Sequence, residues 1–346
     1  MDDGNEMRVL MLAGGGGMAR ALALAARLGI PDILDGGALP APEIARRTAS
    51  DPDVLARLLQ TLVFCGVFTC DDAGGFALSP DFAPLRADHP RSVRNLAILM
   101  AETYDDACAA MPETVRTGRS AFQHVFGVPL YEFLEYRPDV GEVFDAAMAE
   151  LARPTAAALA EEYDFAHVRT LVDIGGGDGT MLSGILARHP HLRGICVDRP
   201  TVCARGAAAQ AASAGDPVAE RITFTAADIF DEVPDGGDRY LLKNVLHDWP
   251  DETCLRVLTA IGRAVRRTAD ARQPGLAPPR LLVLEPLFDE PADAPHVLFQ
   301  MLMCGKDAGG RGEPELRALL ERADFTLVSA RPSAGGRHVF ECVPKG

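Results

Sequence analysis

An α/β fold is predicted, with a mostly parallel sheet following a largely helical N-terminal portion. Three observations carry this. Residues 1–100 read as helices with one hairpin, and from residue 170 short β-rich runs alternate with helical stretches. Between the first such run and the next helix stands a glycine-rich loop, "GGGDG" (175–179). A chain of 346 residues has room for one large domain or two ordinary ones.

In order, "MARALALAARLGI" (18–30) spaces its apolar residues as a helix does and stops at Gly29 and Pro31. "APEIARRTAS" and "DPDVLARLLQTLVFCGVF" follow as helices opened by proline or a capping residue. "TCDDAGGFALS" then reads as two short strands around a turn, so the N-terminal portion resembles a winged helix. Residues 101–165 are again helical. "TLVDI", "GICVD", "ITFTA", "RYLLK" and "LLVLE" are separated by enough chain for crossover helices and predict parallel strands. "FTLVSA" and "RHVFECV" lie close together and predict an antiparallel pair at one edge of this Rossmann-like sheet. Boundaries are expected near residues 100 and 165, giving segments 1–100, 101–165 and 166–346.

Composition narrows the function. A net charge of −15 argues against nucleic acid, because phosphate contacts need clustered Lys and Arg. The winged-helix segment itself carries nine Arg, no Lys and twelve acidic residues. No apolar run reaches the ~18–20 residues of a membrane helix. The acidic start lacks a signal sequence's basic residues, so a cytoplasmic enzyme is expected. The eight cysteines are scattered without a C-x-x-C pair, and no metal site is expected.

Two glycine-rich loops compete for a nucleotide-like ligand. "LVDIGGGDGTML" (171–182) follows a strand, opens a helix and precedes a strand ending in Asp198. "LMLAGGGGMARAL" (10–22) has a possible strand in "RVLML" but no second strand ending in an acid, and a helix break is the competing reading. The carboxyl ends of four successive strands bring Gly175, Asp198, Asp228 and Lys243 to one rim, where open α/β sheets bind ligands. Asp198 and Asp228 could instead cap the helices that follow. "LLKNVLHDWPDE" (241–252) holds the only tryptophan, Trp249, with His247 two places before it. His247 is either a proton-transfer group at a strand end or a cap for the next helix. Asp248 reads as structural, grouped with Asp251 and Glu252 near a helix start where acids suit the dipole.

"LVDIGGGDG", "CVDRPTV", "AADIF", "LLKNVLHDWPDE" and "LLVLEPL" resemble, in order and spacing, the S-adenosylmethionine-dependent small-molecule O-methyltransferases of the caffeic acid, acetylserotonin and bacterial polyketide-tailoring type. The resemblance extends over most of the chain. It implies a class I methyltransferase sheet and a homodimer formed through the N-terminal winged-helix domain. It also implies a helical linker contributing to the substrate pocket, with S-adenosylmethionine as cofactor. By this resemblance Gly175 and Gly177 lie beside the methionine portion, Asp198 takes the ribose hydroxyls, and Asp228 with Ile229 lines the adenine. Lys243 acts through its backbone carbonyl and Trp249 packs on the cofactor. His247 is the general base oriented by Glu285. Phe126, Met148, Phe299 and Met303 are expected to face the acceptor, with ordinary core packing as the competing reading of such a Met and aromatic set. His124 and His296 fall in the same substrate-facing segments.

The chemistry agrees with these roles. A phenol of pKa ~10 is a poor nucleophile at neutral pH, and a neutral imidazole can take its proton while a carboxylate holds the other ring nitrogen. The expected reaction is methylation of a phenolic hydroxyl on an aromatic natural product. The alternatives are a cofactor-binding relative doing non-methylating chemistry, such as hydroxylation or a pericyclic step, and a small-molecule-sensing winged-helix regulator. One departure stands out. A Glu that the family also places beside the histidine aligns with Gly310, and Asp307 and Glu313 are out of register, leaving Glu285 as the single well-aligned carboxylate.

Overall fold

The computed structural model describes residues 3–213, 215–273, 276–308 and 310–345. It divides into two compact units, Met1–Asp106 with Pro138–Glu150, and Ala107–Arg137 with Leu151–Gly346.

In the first unit, helices Asp3–Ala13 and Gly15–Arg27 meet at Gly14 with a bend of 52°. "RVLML" is thus helical, and the N-terminal glycines are a helix break. Short strand β1 (Leu39–Pro40) precedes helices Ala41–Thr48 and Pro52–Phe64, and the hairpin β2 (Phe68–Cys70) and β3 (Gly75–Leu78) follows. Asp51 caps the second helix by accepting from the Asp53 and Val54 N–H groups. The hairpin turn uses Gly74 at φ 81° and the Asp71 carboxylate, which accepts from Ala73 and Gly75. Strand order β1-β3-β2 completes the winged-helix arrangement over a core that includes Ile30, Ile44, Leu59, Leu62 and Phe68. Glu150 belongs to this unit, its buried carboxylate accepting from the Asn95 and Leu96 N–H groups that open helix Arg94–Leu99.

The second unit holds a seven-stranded sheet. Its strands are β4 (Thr170–Ile174), β5 (Arg193–Asp198), β6 (Ile222–Ala226), β7 (Arg239–Lys243), β8 (Arg280–Glu285), β9 (Phe325–Ser333) and β10 (Arg337–Pro344). Their spatial order is β6-β5-β4-β7-β8-β10-β9. β4 to β8 pair in parallel, and β10 runs antiparallel to both β8 and β9. The expected antiparallel pair is at the edge, and the reversed strand lies one place inside it.

Both faces of the sheet are covered, so its strands are apolar almost throughout. Val172, Ile174, Tyr240, Leu242 and Val283 pack with helix Asp251–Asp270 and helix Glu313–Arg322. Leu171, Leu241, Leu282 and Leu284 pack with helix Thr180–Arg188 and the end of helix Pro138–Glu162. Among the described residues no single helix is long and apolar enough to cross a membrane.

Candidate active site

The rim at the carboxyl ends of β4, β5 and β7 is built from tight backbone turns. Gly175, Gly177 and Gly179 have φ of 68°, 62° and 84°, a region that disfavours any side chain. A Cβ on Gly176 would lie 2.7 Å from Cys196 Sγ and 2.8 Å from Asp173 Oδ2, so the loop is stripped to backbone by its own packing. Gly175 N–H is held by the Val197 carbonyl at 2.8 Å, joining the loop to β5. Asp198 ends β5, and its carboxylate accepts from the Gly177 N–H at 2.9 Å and the Arg199 N–H at 2.8 Å. Burial raises its pKa against those hydrogen bonds. Each Asp198 oxygen keeps acceptor capacity for a ligand hydroxyl.

Beneath the loop, Asp173 is fully buried and its Oδ2 has no hydrogen-bond partner. Desolvation pushes its pKa up to about 7, against the nearby Lys243. Lys243 shifts the other way, to about 8, through burial and the neighbouring Arg337. Asp228 is exposed at the end of β6 and accepts from the Phe230 N–H, while Ile229, Phe230 and Trp249 are half-buried against the core. Trp249 has Phe230 edge-on at 5.0 Å and Tyr131 stacked at 5.5 Å with 18° between rings.

β7 delivers the loop carrying His247, and β8 ends in the buried Glu285. Glu285 Oε2 lies 2.6 Å from His247 Nδ1, and Oε1 accepts from the Val245 and Leu246 N–H groups at 2.8 and 2.7 Å. One carboxylate therefore fixes both the loop backbone and the ring. Arg311 closes the loop from outside, donating to the Leu246 carbonyl at 2.7 Å, the Trp249 carbonyl at 2.9 Å and Asp251. Burial lowers the pKa of His247, but the Asp248 and Glu285 carboxylates outweigh it and raise the ring to about 9.

Asp248 is expected from the sequence to be structural, near the start of helix Asp251–Asp270, and its carboxylate is held by side chains from elsewhere in the chain. Its Oδ1 lies 3.5 Å from His247 Nε2 and accepts from Gln300 Nε2 at 2.5 Å, while Oδ2 accepts from the Tyr131 hydroxyl. Neither Tyr131 nor Gln300 was expected from the sequence. They lie 117 and 52 residues from Asp248, beyond the reach of any local spacing rule. The Gly310 departure is also explained, since a Cβ there would fall 2.1 Å from the Phe288 ring. Asp307 is exposed and Glu313 pairs with Arg317, so neither stands in for the missing Glu.

The residues expected to face an acceptor differ in their surroundings. Phe126 is half-buried between Phe122 and Phe133, with centroids at 4.5 and 4.6 Å. Phe299 is half-buried on helix Ala294–Cys304. Met303, on the same helix, is 3% exposed and packs inward, and Gln300 is the residue of that helix that reaches the His247 loop. Met148 lies in the stretch of chain grouped with the N-terminal unit, and His124 and His296 are exposed. Among the described residues no group of three or more His, Cys, Asp or Glu could hold a metal.

Comparison with known proteins agrees with this geometry. An O-methyltransferase domain family matches residues 109–326, and an O-methyltransferase dimerisation domain family matches residues 10–81. The chain is 36% identical to O-demethylpuromycin-O-methyltransferase of Streptomyces alboniger, over 96% of this chain and 87% of that one. It is 34% identical to phenazine O-methyltransferase PhzM of Lysobacter antibioticus, over 97% and 95%. A crystal structure of LaPhzM superposes with a TM-score of 0.86 at 32% identity, covering 98% of this chain and 99% of that one. The glycine cradle, the Asp198 carboxylate and the orphaned Asp173 oxygen fit the backbone-hugging, hydroxyl-rich and cationic parts of the family's cofactor. The chain therefore belongs to the O-methyltransferase family, and it is an S-adenosylmethionine-dependent enzyme of that family.

Proposed function

We propose that the enzyme methylates a phenolic hydroxyl of an aromatic natural product, with His247 as general base oriented by Glu285. The observation that carries this reading is the 2.6 Å contact from His247 Nδ1 to a buried carboxylate that also holds the loop backbone. In the neutral ring, Nδ1–H donates to Glu285, leaving the Nε2 lone pair for a phenolic proton. Glu285 then stabilises the imidazolium as the proton arrives.

S-adenosylmethionine, when bound, supplies the electrophilic methyl on a positively charged sulfur. Gly175, Gly177 and Asp198 would hold it, with the Lys243 carbonyl at the sulfonium end, Asp228 and Ile229 beside the adenine, and Trp249 packed against it. His247 feels that positive charge with a sign opposite to Asp248 and Glu285. Its proton affinity falls when the site is loaded, which brings a ring at about 9 toward the neutral form a base needs. Phe126 and Phe299 offer aromatic faces to the acceptor. The N-terminal unit would pair two copies, since Met7, Leu10, Met11 and Leu12 are exposed apolar residues there.

The test is incubation with S-adenosylmethionine and a panel of phenols and aromatic polyketides, read by mass. A gain of one methyl group is expected, falling about 10²–10⁴-fold in His247→Ala with S-adenosylhomocysteine affinity retained. Full activity in that variant overturns the base assignment. Cofactor consumption without methylated product would favour the non-methylating alternative.

A further inference from the structure

Tyr131 makes three connections in the second unit. Its hydroxyl donates to Asp248 Oδ2, and its ring stacks on Trp249 at 5.5 Å. Its carbonyl accepts from Arg199 Nη1 at 3.0 Å, and the Arg199 guanidinium lies 5.5 Å from the centroid of the Tyr131 ring and pairs with Glu135. Arg199 is also the residue whose N–H holds the Asp198 carboxylate. One residue thus joins Arg199, next to Asp198, to the carboxylate beside His247.

We propose that Tyr131 is a positioning residue that shares the Asp248 carboxylate with His247, and that it ties this carboxylate to the cofactor rim through Trp249 and Arg199. The proposal rests on the reading of His247 as the base, but it can be tested on the ring itself.

The physics lies in how the charge of Asp248 is divided. Gln300 donates to Oδ1 and Tyr131 to Oδ2, while His247 Nε2 stands 3.5 Å from Oδ1. His247 is the only cationic partner of Asp248 among the described residues. A phenol O–H aimed at the carboxylate places positive charge against it and weakens its pull on the imidazole. The other groups bearing on the ring are Glu285 from β8, which favours its charged form, and Arg337 from β10, which opposes it. Helix Ala294–Cys304 contributes the Gln300 amide and the half-buried Cys304 thiol, both neutral. Removing the hydroxyl leaves the ring facing a more strongly negative Asp248, so it keeps its proton to higher pH.

The experiment uses the full-length protein saturated with S-adenosylhomocysteine. The His247 imidazole is titrated by NMR, its resonance identified by its absence in His247→Ala. In Tyr131→Phe the midpoint should rise by about half a pH unit or more, with emission of Trp249, the only indole, unchanged because the stacked ring remains. In Tyr131→Leu the midpoint should rise and the emission should also shift. In an Asp248→Asn background, Tyr131→Phe should move the midpoint no further.

An unmoved midpoint in Tyr131→Phe overturns the proposal, and so does an equal shift with and without Asp248. Lower thermal stability with an unmoved midpoint marks a purely structural tyrosine and overturns it too. If the midpoint moves while His247→Ala retains full activity, the Tyr131 contact stands and the base assignment falls.

Discussion

Both oxygens of Glu285 are occupied, one by the His247 ring and one by two backbone N–H groups. Glu285→Gln keeps all three contacts only by donating its amide N–H to His247 Nδ1, which forces the ring into the tautomer with the proton on Nε2 and gives up the charge-assisted hydrogen bonds. We expect a loss of about 1–3 kcal/mol in denaturant unfolding, together with a large fall in turnover. Equal stability would argue that the loop is held mainly by Arg311. His247 also makes a pH-dependent prediction. Its folded pKa of about 9 lies above the ordinary 6.5, so its stabilisation is complete below pH 6.5 and is lost as pH rises through about 9. The Tm advantage of the ligand-free wild type over His247→Gln should therefore shrink across that window. Taking the difference against the variant cancels the contributions of Lys243 and Asp173, which titrate in or near the same range.

At the scale of elements, the loop after helix Ala294–Cys304 and the strand-end loop after β8 have exchanged volumes. Phe288 fills the space that any side chain at residue 310 would need. Gly310→Glu should lower Tm, and the added change Phe288→Ala should recover part of the loss by making room. A double variant no more stable than the single one would show that Phe288 is not the obstacle. Much of this element structure is legible in the sequence, because strands buried on both faces, a glycine loop and a capped helix all leave local patterns. "RVLML" is ambiguous because four consecutive apolar residues suit either period, and its helical neighbours decide it. Asp248 is the instructive residue at the site. Its nearness in sequence to a helix start suggests a role with the helix dipole, but tertiary partners far along the chain, Tyr131 and Gln300, hold its carboxylate. The loop bearing His247 was legible from a strand end and its Glu285 partner only through the family resemblance, whereas a contact between remote helices leaves no periodic trace.

At the scale of the whole molecule, the dimerisation match and the exposed apolar residues Met7, Leu10, Met11 and Leu12 bear on assembly. Replacing Leu10 and Leu12 together by Glu should convert a dimer to a monomer in sedimentation, and a dimer that survives would place the interface elsewhere. The net charge of −15 and the acidic winged-helix segment lead us to expect no salt-sensitive binding to duplex DNA by fluorescence anisotropy at low salt. Measurable, salt-sensitive binding would revive the regulator reading.

The position of β10 has a consequence for how the chain folds. β10 is synthesised after β9 yet lies between β9 and β8, pairing with Leu281–Glu285 on one side and Phe325–Ser333 on the other. Order of synthesis and order in space are therefore inverted at this end of the sheet. Until residues 337–344 emerge, β8 presents an open edge and β9 has no strand to join. The sheet closes by insertion, and a chain stalled before residue 337 carries an unpaired apolar edge ready to capture a strand from another molecule.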